Sequence, residues 1–65
     1  MNLPLKTILI DDEQLALSRL KRLLVDYTDI FSIVAEGHNG AEGLDLIETH
    51  RPDLIFLDIE MPLLN

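Results

Sequence analysis

Three short apolar runs alternate along this chain with two longer stretches of helical period. Residues 6–10, KTILI, are almost wholly apolar or β-branched and are bounded by Pro4 on one side and by Asp11 and Asp12 on the other. An apolar run without polar alternation reads as a strand buried on both faces, the kind found in parallel sheets. The period then changes. Over residues 13–27, EQLALSRLKRLLVDY, positions Ala16, Leu20, Leu23, Leu24 and Tyr27 recur at helical spacing and make one apolar face, with Leu17 at its margin. Ser18, Arg19, Lys21, Arg22 and Asp26 point elsewhere, so the pattern predicts an amphipathic helix. Asp12 is the expected N-cap, and acids before bases along the segment suit the helix dipole.

Residues 31–37, FSIVAEG, predict a second strand, and residues 39–50, NGAEGLDLIETH, a second helix. Asn39 and Glu42 stand at capping-box spacing. Gly43 weakens that helix by about 1 kcal/mol relative to Ala, and close packing on the sheet is the expected reason. Pro52 ends the helix, and residues 53–57, DLIFL, form a third strand. The order is β-α-β-α-β with short connections. Parallel strands joined by right-handed helical crossovers follow, which is an α/β fold.

Composition narrows what such a fold can be. A chain of 65 residues is at most one small domain, and near that length only about 60% of the unfolded surface is buried. Disulfides cannot add to its stability because there is no cysteine, and no ligand set resembles a zinc site. A metal held through oxygens and self-association both remain open. With 48% hydrophobic residues the chain is too apolar for disorder. A net charge of −7, with only five Lys and Arg, argues against a nucleic-acid surface in this segment. Arg19, Lys21 and Arg22 read as the solvated face of the first helix. No apolar run approaches the ~20 residues of a membrane span, and MNLPLK does not open like a signal peptide. A soluble cytoplasmic protein with no membrane segment is expected.

The chemistry lies where the apolar runs stop. ILIDDE and IFLDIE each carry an apolar strand into an acid. In an open α/β sheet, ligands collect just beyond the carboxyl ends of the strands. If the first and third strands are neighbours, about 4.8 Å apart, then Asp11, Asp12 and Asp58 converge on one small volume. Three like charges there are unfavourable alone, and a hard divalent cation such as Mg²⁺ resolves them while keeping a position for a phosphate oxygen. His38 and His50 read as loop and helix-end histidines without a phosphotransfer role.

ILIDDE, EGHNGAEGLDLI and PDLIFLDIEMP together resemble the receiver domain of two-component response regulators, and the wording is most similar to the LytR/AlgR type. The resemblance covers essentially the whole chain. It implies a flavodoxin-like receiver fold with strand order 2-1-3 over this part. It also implies that Asp58 accepts a phosphoryl group from a histidine kinase, and that Asp12 binds Mg²⁺ directly with Asp11 in support. The backbone carbonyl of Glu60 would complete the coordination, and Met61 and Pro62 would form the turn beyond it. Cytoplasmic signalling and transcription regulation are the implied setting, with a LytTR DNA-binding domain as output.

A full receiver has five strands, so residues 1–65 are expected to be its N-terminal part, truncated after the third strand. The switch Ser or Thr, the Lys and the DNA-binding output would lie outside it. Such a piece is not expected to be an enzyme, and self-phosphorylation from small donors is expected to be poor. An aspartate-nucleophile phosphatase of the haloacid-dehalogenase type fits less well, because Asp58 is followed by Glu60 and Pro62 where D-x-D-x-T/V is needed. A third reading is a structural half-domain that self-associates without phosphotransfer. In either case the bare edge of the third strand is expected to pair with a second copy, giving a homodimer.

Overall fold

The computed structural model describes residues 2–58 of the chain. Its elements run β1 (Leu5–Ile10), α1 (Gln14–Leu24), a 3₁₀ turn (Val25–Tyr27), β2 (Phe31–Gly37), α2 (Gly40–His50) and β3 (Leu54–Leu57). The three strands form one parallel sheet in the order β2-β1-β3, as the resemblance implied. β1 is central, and its apolar run is explained by that position. Thr7, Ile8, Leu9 and Ile10 are all buried, alternate residues serving opposite faces. Ile8 and Ile10 pack with Val34, Ala35 and Leu46 on the α2 side. Leu9 packs with Leu17, Leu24, Leu20, Phe31, Ile33 and Phe56 on the α1 side.

The β1–β2 register slips between Thr7↔Ile33 and Ile8↔Ala35, leaving Val34 as an extra residue on β2. A bulge breaks the two-residue alternation. That is why the consecutive residues Val34 and Ala35 both reach the α2-side cluster.

Helix α1 packs Leu20 and Leu24 inward as expected, but the rest of its face is turned from the expected set. Leu17, placed at the margin by periodicity, is fully buried, whereas Leu23 and Tyr27 are exposed. Buried Leu17 and Leu24, with half-buried Leu20 between them, follow i, i+3, i+7 spacing. Tyr27 leaves the stripe because the helix stops at Leu24 and tightens into a 3₁₀ turn. Of the three clustered bases, Arg19 and Arg22 are exposed as expected. Lys21 instead reaches Glu36 of β2, with Nζ 2.8 Å from Oε2.

Helix α2 begins at the expected cap: the Glu42 N–H donates to Asn39 Oδ1 at 2.8 Å. Gly43 is buried against β1, and a Cβ there would stand 2.6 Å from Ile10 Cδ1. Close packing is therefore the reason for that glycine. At the far end Arg51 adopts the left-handed conformation at φ 48° and donates its N–H to Ile47 O. Pro52 follows, and a residue before proline is disfavoured in the helical region. β3 then starts with a double link to β1. The Asp53 N–H donates to Lys6 O at 2.8 Å, and the Lys6 N–H donates to Asp53 Oδ2 at 2.9 Å.

Candidate metal centre at the strand ends

Sheet register builds the site. Ile10 is the last paired residue of β1, opposite Gly37 on one side and Leu57 on the other. One residue further, the Asp11 N–H donates to Gly37 O and the Asp58 N–H donates to Ile10 O, both at 3.1 Å. Asp11 and Asp58 are thus held by backbone bonds at the same level of two adjacent strands. Asp12 follows in the loop to α1. One carboxylate oxygen from each of Asp11, Asp12 and Asp58 can be chosen so that all three lie within 4.8 Å of one another. Asp11 and Asp58 are half-buried and Asp12 is exposed. The convergence anticipated from the sequence is present.

The expected helix cap is not. Glu13, not Asp12, is the N-cap of α1, and it makes no side-chain cap bond. Instead Asp11 Oδ1 accepts the Glu13 N–H at 2.9 Å. This is the two-residue side-chain-to-backbone turn that aspartate favours, and it satisfies the N–H of Glu13, earlier in the chain than the donors an Asp12 cap would take. The consequence is chemical: the Asp12 carboxylate is not used in capping. Three acids offering oxygen ligands at this spacing fit a hard divalent cation, and they do not fit a thiophilic metal.

Beside the acids a cleft of about 230 Å³ runs beneath α1. Ile10, Ala16, Leu17, Leu20, Phe56 and Leu57 supply its apolar walls, with Asp11 and Asp58 at its polar end. Glu60, Met61 and Pro62, which the resemblance places next in the site, lie outside the described residues.

Sequence reasoning missed one polar group near this end of the sheet. Glu42 Oε1 accepts both the backbone N–H and a ring nitrogen contact of His38, each at 3.1 Å, and Oε2 accepts from Asn39 Nδ2 at 3.3 Å. The His38 side chain and then its backbone N–H hold the Glu42 carboxyl below the usual carboxylate range. The capping-box spacing was the signal available for this contact, although it points to the N–H of residue 39, not 38.

A parallel sheet with acids gathered at its carboxyl end defines a class of α/β modules built to hold a cation and an anionic group. The model of the response regulator receiver domain matches residues 7–65, and the chain belongs to that family. Among relatives, an uncharacterised response regulatory protein of Vibrio cholerae is 44% identical over 62 residues, covering 95% of this chain and 24% of its own length. The transcriptional regulatory protein BtsR of Escherichia coli is 43% identical over 58 residues, covering 89% of this chain and 24% of its own. A protein-glutamate methylesterase/protein-glutamine glutaminase of Saccharophagus degradans is 40% identical over 60 residues, 92% of this chain and 16% of its own. The chain therefore spans a quarter or less of the length of these three relatives. Receiver domains in general are phosphoryl acceptors rather than enzymes, and they typically bind Mg²⁺. Among the described residues, no helix is long and apolar enough to cross a membrane.

Proposed function

We propose that Asp58 is the phosphoacceptor of this receiver domain, and that Asp11, Asp12 and Asp58 hold Mg²⁺ beside it. The backbone carbonyl of Glu60 is a further ligand in this reading. The observation that carries it is the convergence of the three carboxylates within 4.8 Å. One Asp58 oxygen attacks phosphorus; the P–O bond forms as the bond to the donor's nitrogen breaks, giving an aspartyl phosphate. Bound Mg²⁺ supplies neutralisation of phosphoryl oxygen charge, and the chain's own part is to position the carboxylate. Backbone bonding of Asp58 to Ile10 does that positioning. In the whole protein the donor is a histidine kinase in the cytoplasm. The likeness to transcriptional regulators supports a DNA-binding output, of LytTR type on the wording of the sequence.

The test is a metal titration. Stability should rise with millimolar Mg²⁺ by mass action, and Asp12→Asn should lose most of that rise. A melting temperature indifferent to Mg²⁺ would contradict the reading.

A second reading concerns association. Among the described residues β3 pairs with β1 alone, and its Ile55 and Leu57 are 37% and 45% exposed. That edge supports a homodimer of the 65-residue chain through antiparallel pairing of two β3 strands. Sedimentation at micromolar concentration tests it, and a monomer would refute it.

A further inference from the structure

His38 joins two elements that meet at the acid-bearing end of the sheet. It follows Gly37, the last residue of β2, and precedes α2. From α2 its ring faces the Glu42 carboxylate, with Nδ1 3.1 Å from Oε1. From α1 it faces the uncharged Gln14 amide, with Nε2 3.3 Å from Oε1. Gln14 is the first residue of α1, two positions after Asp12. The neighbouring backbone is tied as well, because the Asp11 N–H donates to Gly37 O. One side chain therefore spans the loop before α2 and the start of α1.

We propose that His38 is a proton-controlled clasp between α2 and the start of α1. Both ring nitrogens face oxygen acceptors. Protonated, the ring donates to Glu42 and Gln14 together and carries a charge opposite to that of Glu42. Neutral, it has one N–H; one of its two oxygen partners must then leave, or the Gln14 amide must turn over. Histidine is the side chain that changes charge between about pH 5 and pH 8. Glu42 remains the anionic partner toward the lower end of that range because its carboxyl is held low by the His38 contacts. The clasp needs no metal, so it stands or falls apart from the proposed cation site.

The test is NMR on the full chain in a chelating buffer, with the His38 ring, the Gln14 amide and the protection factor of the Leu17 N–H followed from pH 8 to pH 5. That N–H bonds to Glu13 O in the first turn of α1. Protection should rise roughly two- to five-fold as His38 takes up its proton, the range an exposed ion pair supplies. The Gln14 amide signals should move with the same midpoint. His50, the last residue of α2, reports on a histidine at the opposite end of that helix. His38→Gln should abolish the protection change. Gln14→Ala should also abolish it while leaving His38 free to titrate, so the test survives if His38→Gln does not fold. First-turn protection that ignores His38 titration would overturn the proposal, as would a response retained in Gln14→Ala.

Discussion

Placing a methyl group on Gly43 sets two opposed effects against each other. In a helix interior, Gly→Ala is worth about 1 kcal/mol of added stability. Against that, a Cβ at Gly43 would lie 2.6 Å from Ile10 Cδ1, 3.4 Å from Cγ1 and 3.5 Å from Cγ2. Ile10 is only 4% exposed, packed in the α2-side cluster, so its terminal carbon has little room to retreat. Overpacking of this kind costs roughly 1–3 kcal/mol. Gly43→Ala should therefore destabilise by about 1 kcal/mol net, lowering Tm by roughly 4–8 °C in a domain this small.

The decisive comparison is the cycle with Ile10→Val, which removes the clashing Cδ1. Alone, Ile10→Val should cost roughly 0.5–1.5 kcal/mol. In the double variant the helix gain returns without the clash, so stability should come back close to that of the parent. The double variant should then be roughly 2 kcal/mol more stable than the sum of the single effects, within the range seen for touching residues. Urea unfolding at constant slope reads all four corners. Additivity, or a Gly43→Ala variant more stable than the parent, would refute the claim that close packing fixes this glycine.

Three further outcomes follow from the termini of α2. Asn39→Ala removes the acceptor of the Glu42 N–H and should cost about 1 kcal/mol in urea unfolding; no loss would mean the cap is unused. The folded-state pKa of Glu42 is depressed, so its contribution is complete above the ordinary carboxylate range and disappears as pH falls through the folded value. The stability gap between the parent and Glu42→Gln should accordingly close as the solution is acidified; a gap constant with pH would contradict the His38 contacts. Arg51→Gly relieves a left-handed residue that carries a Cβ and should raise stability by up to about 1 kcal/mol, as glycine does at this helix position; a lower Tm would show that the arginine side chain matters more than its backbone.

Much of this architecture was legible because local pattern and tertiary role agree. The apolar run at β1 reads as doubly buried, and the strand does sit between two others with a cluster on each face. Strand β2 spans the residues its composition indicated, and the acids do meet beyond the paired ends of β1 and β3. What was not legible depends on rotations of one residue or less. Leucines at 17, 20, 23 and 24 offer two overlapping stripes, and only packing on Leu9 and Phe56 selects the one containing Leu17. The bulge at Val34 leaves no sign in a run where both Val34 and Ala35 are apolar. Asp11 and Asp12 are both plausible cap residues by type, and the entry path of α1 gives the backbone contact to Asp11. The His38–Gln14 contact joins residues 24 positions apart, beyond any local spacing rule.

In the function proposed above, the carboxylates at the strand ends make Asp58 a Mg²⁺-dependent phosphoryl acceptor. Intact mass measurement after incubation with acetyl phosphate tests it most directly. The 65-residue chain should gain the mass of one phosphoryl group in the presence of Mg²⁺ and not in the presence of chelator. Asp58→Asn should gain nothing. Labelling that persists in Asp58→Asn, or that proceeds equally well without a divalent cation, would contradict the account.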